Sequence, residues 1–252
     1  MLKSFHSANE WLTSCELSRR AKLPPASGYR MIQTLVDIGA VVRGSCGRYR
    51  PGMLLVSLSR NVAISELLHE AGENIAVELA NRTDATVHLG ILEGGMVTYV
   101  TKTSTPTSFP THTRPGSQLE AYSTGLGKVL LAGLPRDQLE SFIMDGDLVP
   151  LTPYTITSRT ALLSQLERVR ALGFAVDDRE SQADLSCVAV PIFDSDRRVV
   201  AAISACDHAQ RMTAERQEQL LGALLDAASA LGHKVYRTEM PVKVVESRVL
   251  LS

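Results

Sequence analysis

The spacing of apolar side chains changes along this chain, from a helical period before about residue 83 to strand-like runs from Asp84 onward. Thr13-Ser14-Cys15-Glu16 reads as a capping box opening a helix, with Leu17 and Ala21 facing inward and Arg19 and Arg20 facing out. A turn at Lys22-Leu23-Pro24 leads to a second helix. Its Pro24-Pro25 start costs nothing, because first-turn N–H groups have no intrahelical acceptor. Tyr29, Ile32 and Val36, flanked by Met31, Leu35 and Ile38, form its expected apolar face, and Ser27, Arg30, Gln33 and Thr34 the polar one. Gly39 stops it. Val41-Val42-Arg43 and Arg48-Tyr49-Arg50 flank Gly44-Ser45-Cys46-Gly47 as a basic hairpin. Upstream, Phe5, Ala8, Trp11 and Leu12 fit about one and a half turns of amphipathic helix, short for the first helix of a winged module.

After the breaker Pro51-Gly52, apolar residues from Met53 to Leu79 suggest one long or twice-broken helix, interrupted near Gly72. Its first half is expected to serve as linker and dimer contact, and its second half as a core helix of the following domain. Thr86 to Leu92 and Met96 to Val100 read as strands joined by a hairpin at Glu93-Gly94-Gly95. Thr103 to Gly116 reads as a loop with an edge strand. Gln138 to Met144 and Arg159 to Leu172 read as helices. Gly173 to Val176, Cys187 to Phe193 and Val199 to Ala205 read as strands, with a turn at Asp194-Ser195-Asp196. Thr213 caps a last amphipathic helix running to about Tyr236, and Pro241 to Ser252 reads as a strand-like appendage or disorder. Strands interleaved with helices, ending in a hairpin and a helix, predict an α+β domain with an antiparallel sheet.

Composition adds one asymmetry. Residues 1–60 hold nine Lys or Arg against three Asp or Glu, whereas the remainder holds 17 against 24. A basic module with an anionic partner, joined to an acidic module without one, accounts for that split. The four cysteines (Cys15, Cys46, Cys187 and Cys206) make no CxxC, which points to a reducing cytoplasmic setting. Met1 to His6 lacks the apolar core of a signal peptide, and no apolar run is long enough to span a bilayer.

A helix, a turn, a second helix and a basic wing at these lengths fit a duplex groove. Ala26, Ser27 and Arg30 lie on the leading turns of the second helix. Ser27 and Arg30 are expected to approach the major groove, and Tyr29 to reach a phosphate or close the core. Arg19 and Arg20 are expected to neutralise phosphate. Arg43, Arg48 and Arg50 on the wing would do likewise or enter the minor groove.

The order of these pieces resembles the IclR family of bacterial transcriptional regulators. Three motifs carry the resemblance. Glu16-Leu17-Ser18-Arg19-Arg20-Ala21-Lys22-Leu23-Pro24 runs into Tyr29-Arg30-Met31-Ile32-Gln33-Thr34-Leu35. Gly116 is followed by Tyr122-Ser123-Thr124-Gly125-Leu126-Gly127-Lys128-Val129-Leu130-Leu131-Ala132. Gly173-Phe174-Ala175-Val176-Asp177-Asp178-Arg179-Glu180 precedes Leu185-Ser186-Cys187-Val188-Ala189-Val190-Pro191-Ile192-Phe193-Asp194. The resemblance covers about residues 3 to 237. It implies an N-terminal winged helix-turn-helix over 1–52, a linker helix over 53–70, a GAF-like effector domain over 71–240 and a tail over 241–252. It also implies homodimers, often paired into homotetramers on operator DNA.

Three positions depart from the family's pattern. Lys22 stands where the family has Gly, so a left-handed turn there carries strain. Asp184 replaces a usual Gly, and Glu120-Ala121-Tyr122 replaces the commoner Pro-Leu-His.

Ser123-Thr124-Gly125-Leu126-Gly127 opens a helix, and the free N–H groups and dipole of a helix start favour an anion. A small carboxylate is therefore the expected guest, whether aromatic acid, sugar acid or keto acid. The resemblance places Leu119, Gly125, Leu126, Asp177, Leu185, Cys187, Ser204 and Cys206 around its pocket. Gly125 and Leu126 would give N–H groups to the carboxylate, and Ser204 a hydroxyl. Asp177 would accept from a ligand hydroxyl, and Leu119, Leu185 and Cys187 would form the apolar wall.

Cys187 or Cys206 beside Asp207 and His208 suggests a thiol constellation, but adjacent strand residues point to opposite faces. Cys206, His208 and His112 have no metal-ligand spacing. No catalytic residue, metal or cofactor is expected. The alternative reading is a ligand-binding sensor whose DNA binding is weak or lost.

Overall fold

The computed structural model describes residues 1–7, 10–59, 64–144 and 147–236. The chain divides into two units, Met1–Ala63 and Ile64–Ser252.

In the first unit, a 3-10 turn at Leu2–Ser4 precedes strand β1 (Leu12–Thr13) and helix α1 (Ser14–Arg20). Among the described residues of this segment, the expected upstream helix is absent. Leu12 and Thr13 pair with Tyr49 and Arg48, so Leu12 enters the core from a strand; Ala8 lies outside the described residues. The capping box is present, with Glu16 N–H donating to Thr13 Oγ1 at 3.3 Å and Thr13 N–H to Glu16 Oε2 at 2.8 Å. Lys22 turns the chain at φ 54°, in the left-handed region.

Helix α2 (Pro25–Asp37) follows, and Gly39 at φ 77° ends it. Its inner face is Gly28, Ile32, Leu35 and Val36, narrower than the apolar spacing suggested. Tyr29, Met31 and Ile38 are exposed instead. The reason is at Gly28, where a Cβ would overlap the side chain and backbone of Ser18 on α1. That close crossing rolls Tyr29 outward. Strands β2 (Val41–Arg43) and β3 (Arg48–Pro51) complete a three-stranded antiparallel sheet in the order β1-β3-β2. Leu12, Leu17, Ile32, Val41 and Tyr49 form the core of this unit. Helix α3 (Met53–Ser59) follows the sheet.

The second unit opens with helix α4 (Ile64–Thr83). The break expected near Gly72 is absent. Gly72 sits inside the helix, and its missing side chain admits Leu89 Cδ2, which would lie 2.9 Å from a Cβ there. Strands β4 (Thr86–Glu93) and β5 (Met96–Thr103) form the expected hairpin. The edge strand falls after the Thr-rich loop rather than within it, as β6 (Gln118–Glu120), because Gly116 at φ 84° turns the chain back first. Helices α5 (Gly125–Ala132), α6 (Arg136–Met144) and α7 (Arg159–Leu172) come next. They are followed by β7 (Ala175–Asp178), β8 (Leu185–Phe193), β9 (Val199–His208) and α8 (Ala214–Tyr236). The tail over 241–252 lies outside the described residues.

The six strands run β6-β5-β4-β9-β8-β7, all neighbours antiparallel. Alternation along each strand sends side chains to two faces. Leu89, Val188, Val190, Ile192 and Ile203 pack with α4 and α8. Ala175, Ala189 and Ala202 face α5 and α7, where their small size lets α5 approach the sheet. Both faces are therefore buried, and the α5 face ends in the cavity described below.

Two alanine substitutions test the packing. Gly28→Ala is expected to destabilise the N-terminal unit by about 1–3 kcal/mol through overpacking against Ser18. Gly222→Ala, on an exposed turn of α8 with open space around it, is expected to stabilise by about 0.5–1 kcal/mol. Denaturant unfolding of each variant measures both, and equal effects would contradict this packing.

Candidate functional site

Strand register builds the site in two rows. Asp177 on β7, Cys187 on β8, Cys206 on β9 and Thr86 on β4 lie directly opposite one another across four strands. One step along, Ala175, Ala189, Ser204 and His88 form the next row. The start of α5 lies over these rows. A Cβ on Gly125 would sit 2.8 Å from Cys187 Sγ and 3.3 Å from Ala189 Cβ, so only glycine lets the helix begin this close to the sheet.

Between them is a cavity of about 330 Å³, a volume suited to a small metabolite. All eight residues expected around a pocket line it: Leu119, Gly125, Leu126, Asp177, Leu185, Cys187, Ser204 and Cys206. The Thr124 hydroxyl caps α5 by accepting the Gly127 N–H at 3.0 Å. The Gly125 and Leu126 N–H groups come before any intrahelical acceptor.

The structure adds residues that sequence reasoning missed. His88, Thr111, Thr113, Ser181 and Gln182 also line the cavity. The Thr-rich loop folds over it. Thr86 donates to the Phe109 carbonyl at 2.7 Å, Lys102 Nζ to the Thr111 carbonyl at 2.6 Å, and His88 Nε2 bonds Thr113 Oγ1 at 2.7 Å. Phe109 packs on Leu185, Cys187 and Cys206. A Thr/Ser/Pro-rich stretch carries no signal that separates a cavity roof from a connector, and His88 sits in a strand buried on both faces.

Asp177 is almost wholly buried, and its carboxylate is already engaged by its own loop. Oδ1 accepts the Glu180 N–H at 2.8 Å and the Ser181 N–H at 3.3 Å, and Oδ2 accepts the Ser181 hydroxyl at 2.5 Å. Burial raises its pKa to about 7, against these hydrogen bonds and the nearby Lys128, which lower it. Lys128 on α5 is fully buried, paired with Glu180 and donating to the Val176 carbonyl at 3.2 Å. This ion pair ties α5 to the loop after β7. Burial also raises the pKa of Glu180.

Asp207, next to Cys206, pairs with Arg216 at 3.1 Å and does not line the cavity.

In the N-terminal unit, Arg19, Ala26, Ser27, Tyr29, Arg30, Arg43, Arg48 and Arg50 are all exposed. Of the two readings of Tyr29, closure of the core does not hold, since half its surface is open. Arg50 stacks on Trp11, with its guanidinium 5.1 Å from the ring centroid. Arg20 is different from the rest. It pairs with Glu10 at 2.8 Å and donates to the Ser4 carbonyl at 3.0 Å, so its charge anchors the N-terminal segment.

Residues 62–233 match the family model for the bacterial transcriptional regulator IclR C-terminal region. The chain belongs to the IclR family. XynR of Escherichia coli K12, an HTH-type transcriptional regulator, is 32% identical over 238 residues, spanning 92% of this chain and 94% of XynR. KdgR of the same organism, also an HTH-type regulator, is 30% identical over 227 residues, spanning 90% of this chain and 86% of KdgR. The crystal structure of Thermotoga maritima IclR aligns with a TM-score of 0.65 at 30% identity, covering 90% of this chain and 92% of that one. This IclR-family chain is accordingly a transcriptional regulator rather than an enzyme. Among its described residues, no helix is long and apolar enough to cross a membrane.

The raised pKa of Asp177 has a definite sign. Below about pH 4 the group is protonated in both the folded and the unfolded chain. As pH rises from there to about 7, the unfolded chain ionises first, so the stability contributed by Asp177 declines over that window. Asp177→Asn removes this titration. Its melting temperature is expected to gain on the native chain between pH 5 and pH 8, and a pH-independent difference would contradict the assignment.

Proposed function

We propose that this chain is a homodimeric, ligand-responsive operator-binding regulator whose C-terminal cavity holds a small hydroxylated carboxylate. The observation that carries the effector reading is the meeting of the α5 start with a cavity lined by hydroxyls and amides. Gly125 and Leu126 direct first-turn N–H groups to the carboxylate, where the helix dipole adds to the attraction. Ser204 donates a hydroxyl. Asp177, with three of its acceptor sites taken by its own loop, keeps room for one ligand hydroxyl. Leu119, Leu126 and Leu185 cover the carbon skeleton.

Thr111, Thr113, Ser181, Gln182 and His88 give this wall more hydrogen-bonding groups than a flat aromatic acid uses. That favours a sugar-derived acid over an aromatic or a short keto acid, because its hydroxyls can exchange with the hydrogen bonds these side chains make to one another and to Asp177 and Asp184.

The N-terminal unit is read as a winged helix-turn-helix. Helix α2 presents Ala26, Ser27, Tyr29 and Arg30 to the major groove, with Arg30 the strongest candidate for a base contact. Arg19, Arg43, Arg48 and Arg50 meet phosphates or the minor groove. Arg20 supports this surface from behind through Glu10 and Ser4. Two such units in a dimer read a pseudo-palindrome. The effector acts by binding one arrangement of the dimer better than another, and operator affinity shifts by that difference.

Mobility shift on the protein's own upstream DNA, across a salt series and with gluconate, benzoate and pyruvate, tests the proposal. Binding is expected to fall steeply with salt and to respond to gluconate most strongly. Arg30→Ala is expected to weaken specific binding by about 10- to 100-fold and relax sequence preference. Arg48→Ala is expected to weaken all sequences alike and reduce the salt slope by about 1. Absence of binding at low salt would favour a sensor without DNA-binding activity. The strand at Leu12–Thr13, standing where a first helix was expected, is the observation behind that alternative.

A further inference from the structure

Cys187 and Cys206 are free cysteines directly opposite each other on neighbouring antiparallel strands. Opposed residues in such a pair have Cα atoms about 4.5 or 5.5 Å apart, inside the range a disulfide spans. Both side chains line the cavity and are otherwise buried. Their environments differ. Cys206 Sγ lies 3.5 Å from His88 Nδ1. Cys187 instead rests against Gly125, where an added Cβ would lie 2.8 Å from its Sγ.

The geometry points to a modification site: we propose that hydroperoxides oxidise Cys206 and that Cys187 resolves it, forming a reversible Cys187–Cys206 disulfide in the cavity wall. His88, whose Nδ1 lies 3.5 Å from Cys206 Sγ, is placed to take the Cys206 proton, which sets the order of events. The Cys206 thiolate attacks one peroxide oxygen. The S–O bond forms, the O–O bond breaks, and the departing hydroxide or alkoxide takes a proton to become water or the alcohol. The Cys187 sulfur then attacks the sulfenic sulfur. The S–S bond forms, and the sulfenic oxygen leaves as water with the Cys187 proton. Two electrons pass from the thiols to the peroxide. A hydroperoxide is small beside a cavity of about 330 Å³, so buried sulfurs that line the cavity are within its reach. Oxidation removes both thiol hydrogens and any thiolate charge from beside the start of α5.

The test uses the full chain carrying Cys15→Ser and Cys46→Ser, since those two exposed thiols react independently. After hydrogen peroxide, denaturation and alkylation, peptide mass spectrometry is expected to show one cross-linked Cys187–Cys206 pair lacking two hydrogens, reversed by dithiothreitol. With Cys187→Ser added, Cys206 is expected to stop at sulfenic acid and be trapped by dimedone. With Cys206→Ser added, Cys187 is expected to remain an alkylatable thiol. Thiols that both survive peroxide, while Cys15 and Cys46 of the unsubstituted chain are consumed, would overturn the proposal. So would separate over-oxidation of each sulfur without a cross-link. The unsubstituted chain gives the same cross-linked peptide if a variant fails to fold. The readout needs no effector, so its failure is separate from a failure of the effector reading.

Discussion

The approach of α5 to the sheet governs the C-terminal unit. Gly125 rests against Cys187 and Ala189 at a separation that no side chain permits, and Ala175, Ala189 and Ala202 leave the space the helix fills. Because the helix starts there, Thr124, Gly125 and Leu126 at its first turn line the cavity. The cavity is therefore a consequence of small residues on one strand face meeting a glycine at a helix start.

A buried ion pair holds this arrangement in register. Lys128, one turn into α5, reaches Glu180 and the Val176 carbonyl, and the neighbouring Asp177 is bound by the backbone of the same loop. Thr152 and Thr155 hydroxyls extend the network by donating to the Arg179 and Glu180 carbonyls, both at 2.7 Å. Burying a charged pair gains little net stability over apolar packing, but breaking it leaves an uncompensated charge. Its consequence here is positional: it ties the start of α5 to the loop that carries Asp177.

Much of this was legible in the sequence, for reasons that differ from element to element. The capping box at Thr13 and the hairpin at Gly94-Gly95 are local, and they formed where local chemistry put them. The eight cavity residues followed from resemblance to a family, and one cavity gathers them all. What failed was non-local. Trp11 and Leu12 fit a helical spacing, yet the β-sheet claims Leu12 as a strand residue. Tyr29 shares the period of Ile32 and Val36, but the Gly28–Ser18 crossing turns it outward. His88 was passed over because β4 is buried on both faces, and alternation then says nothing about which residue meets a cavity. Its place opposite Ser204 depends on register, which only the paired strands reveal.

The central claim is that the start of α5 makes the cavity a carboxylate site. Calorimetric titration of the intact chain with gluconate and with its neutral amide, at equal ionic strength, tests it most directly. The account predicts that the amide binds at least about tenfold more weakly, a loss of about 1.4 kcal/mol from one charge-assisted contact. Equal affinity for acid and amide would contradict it.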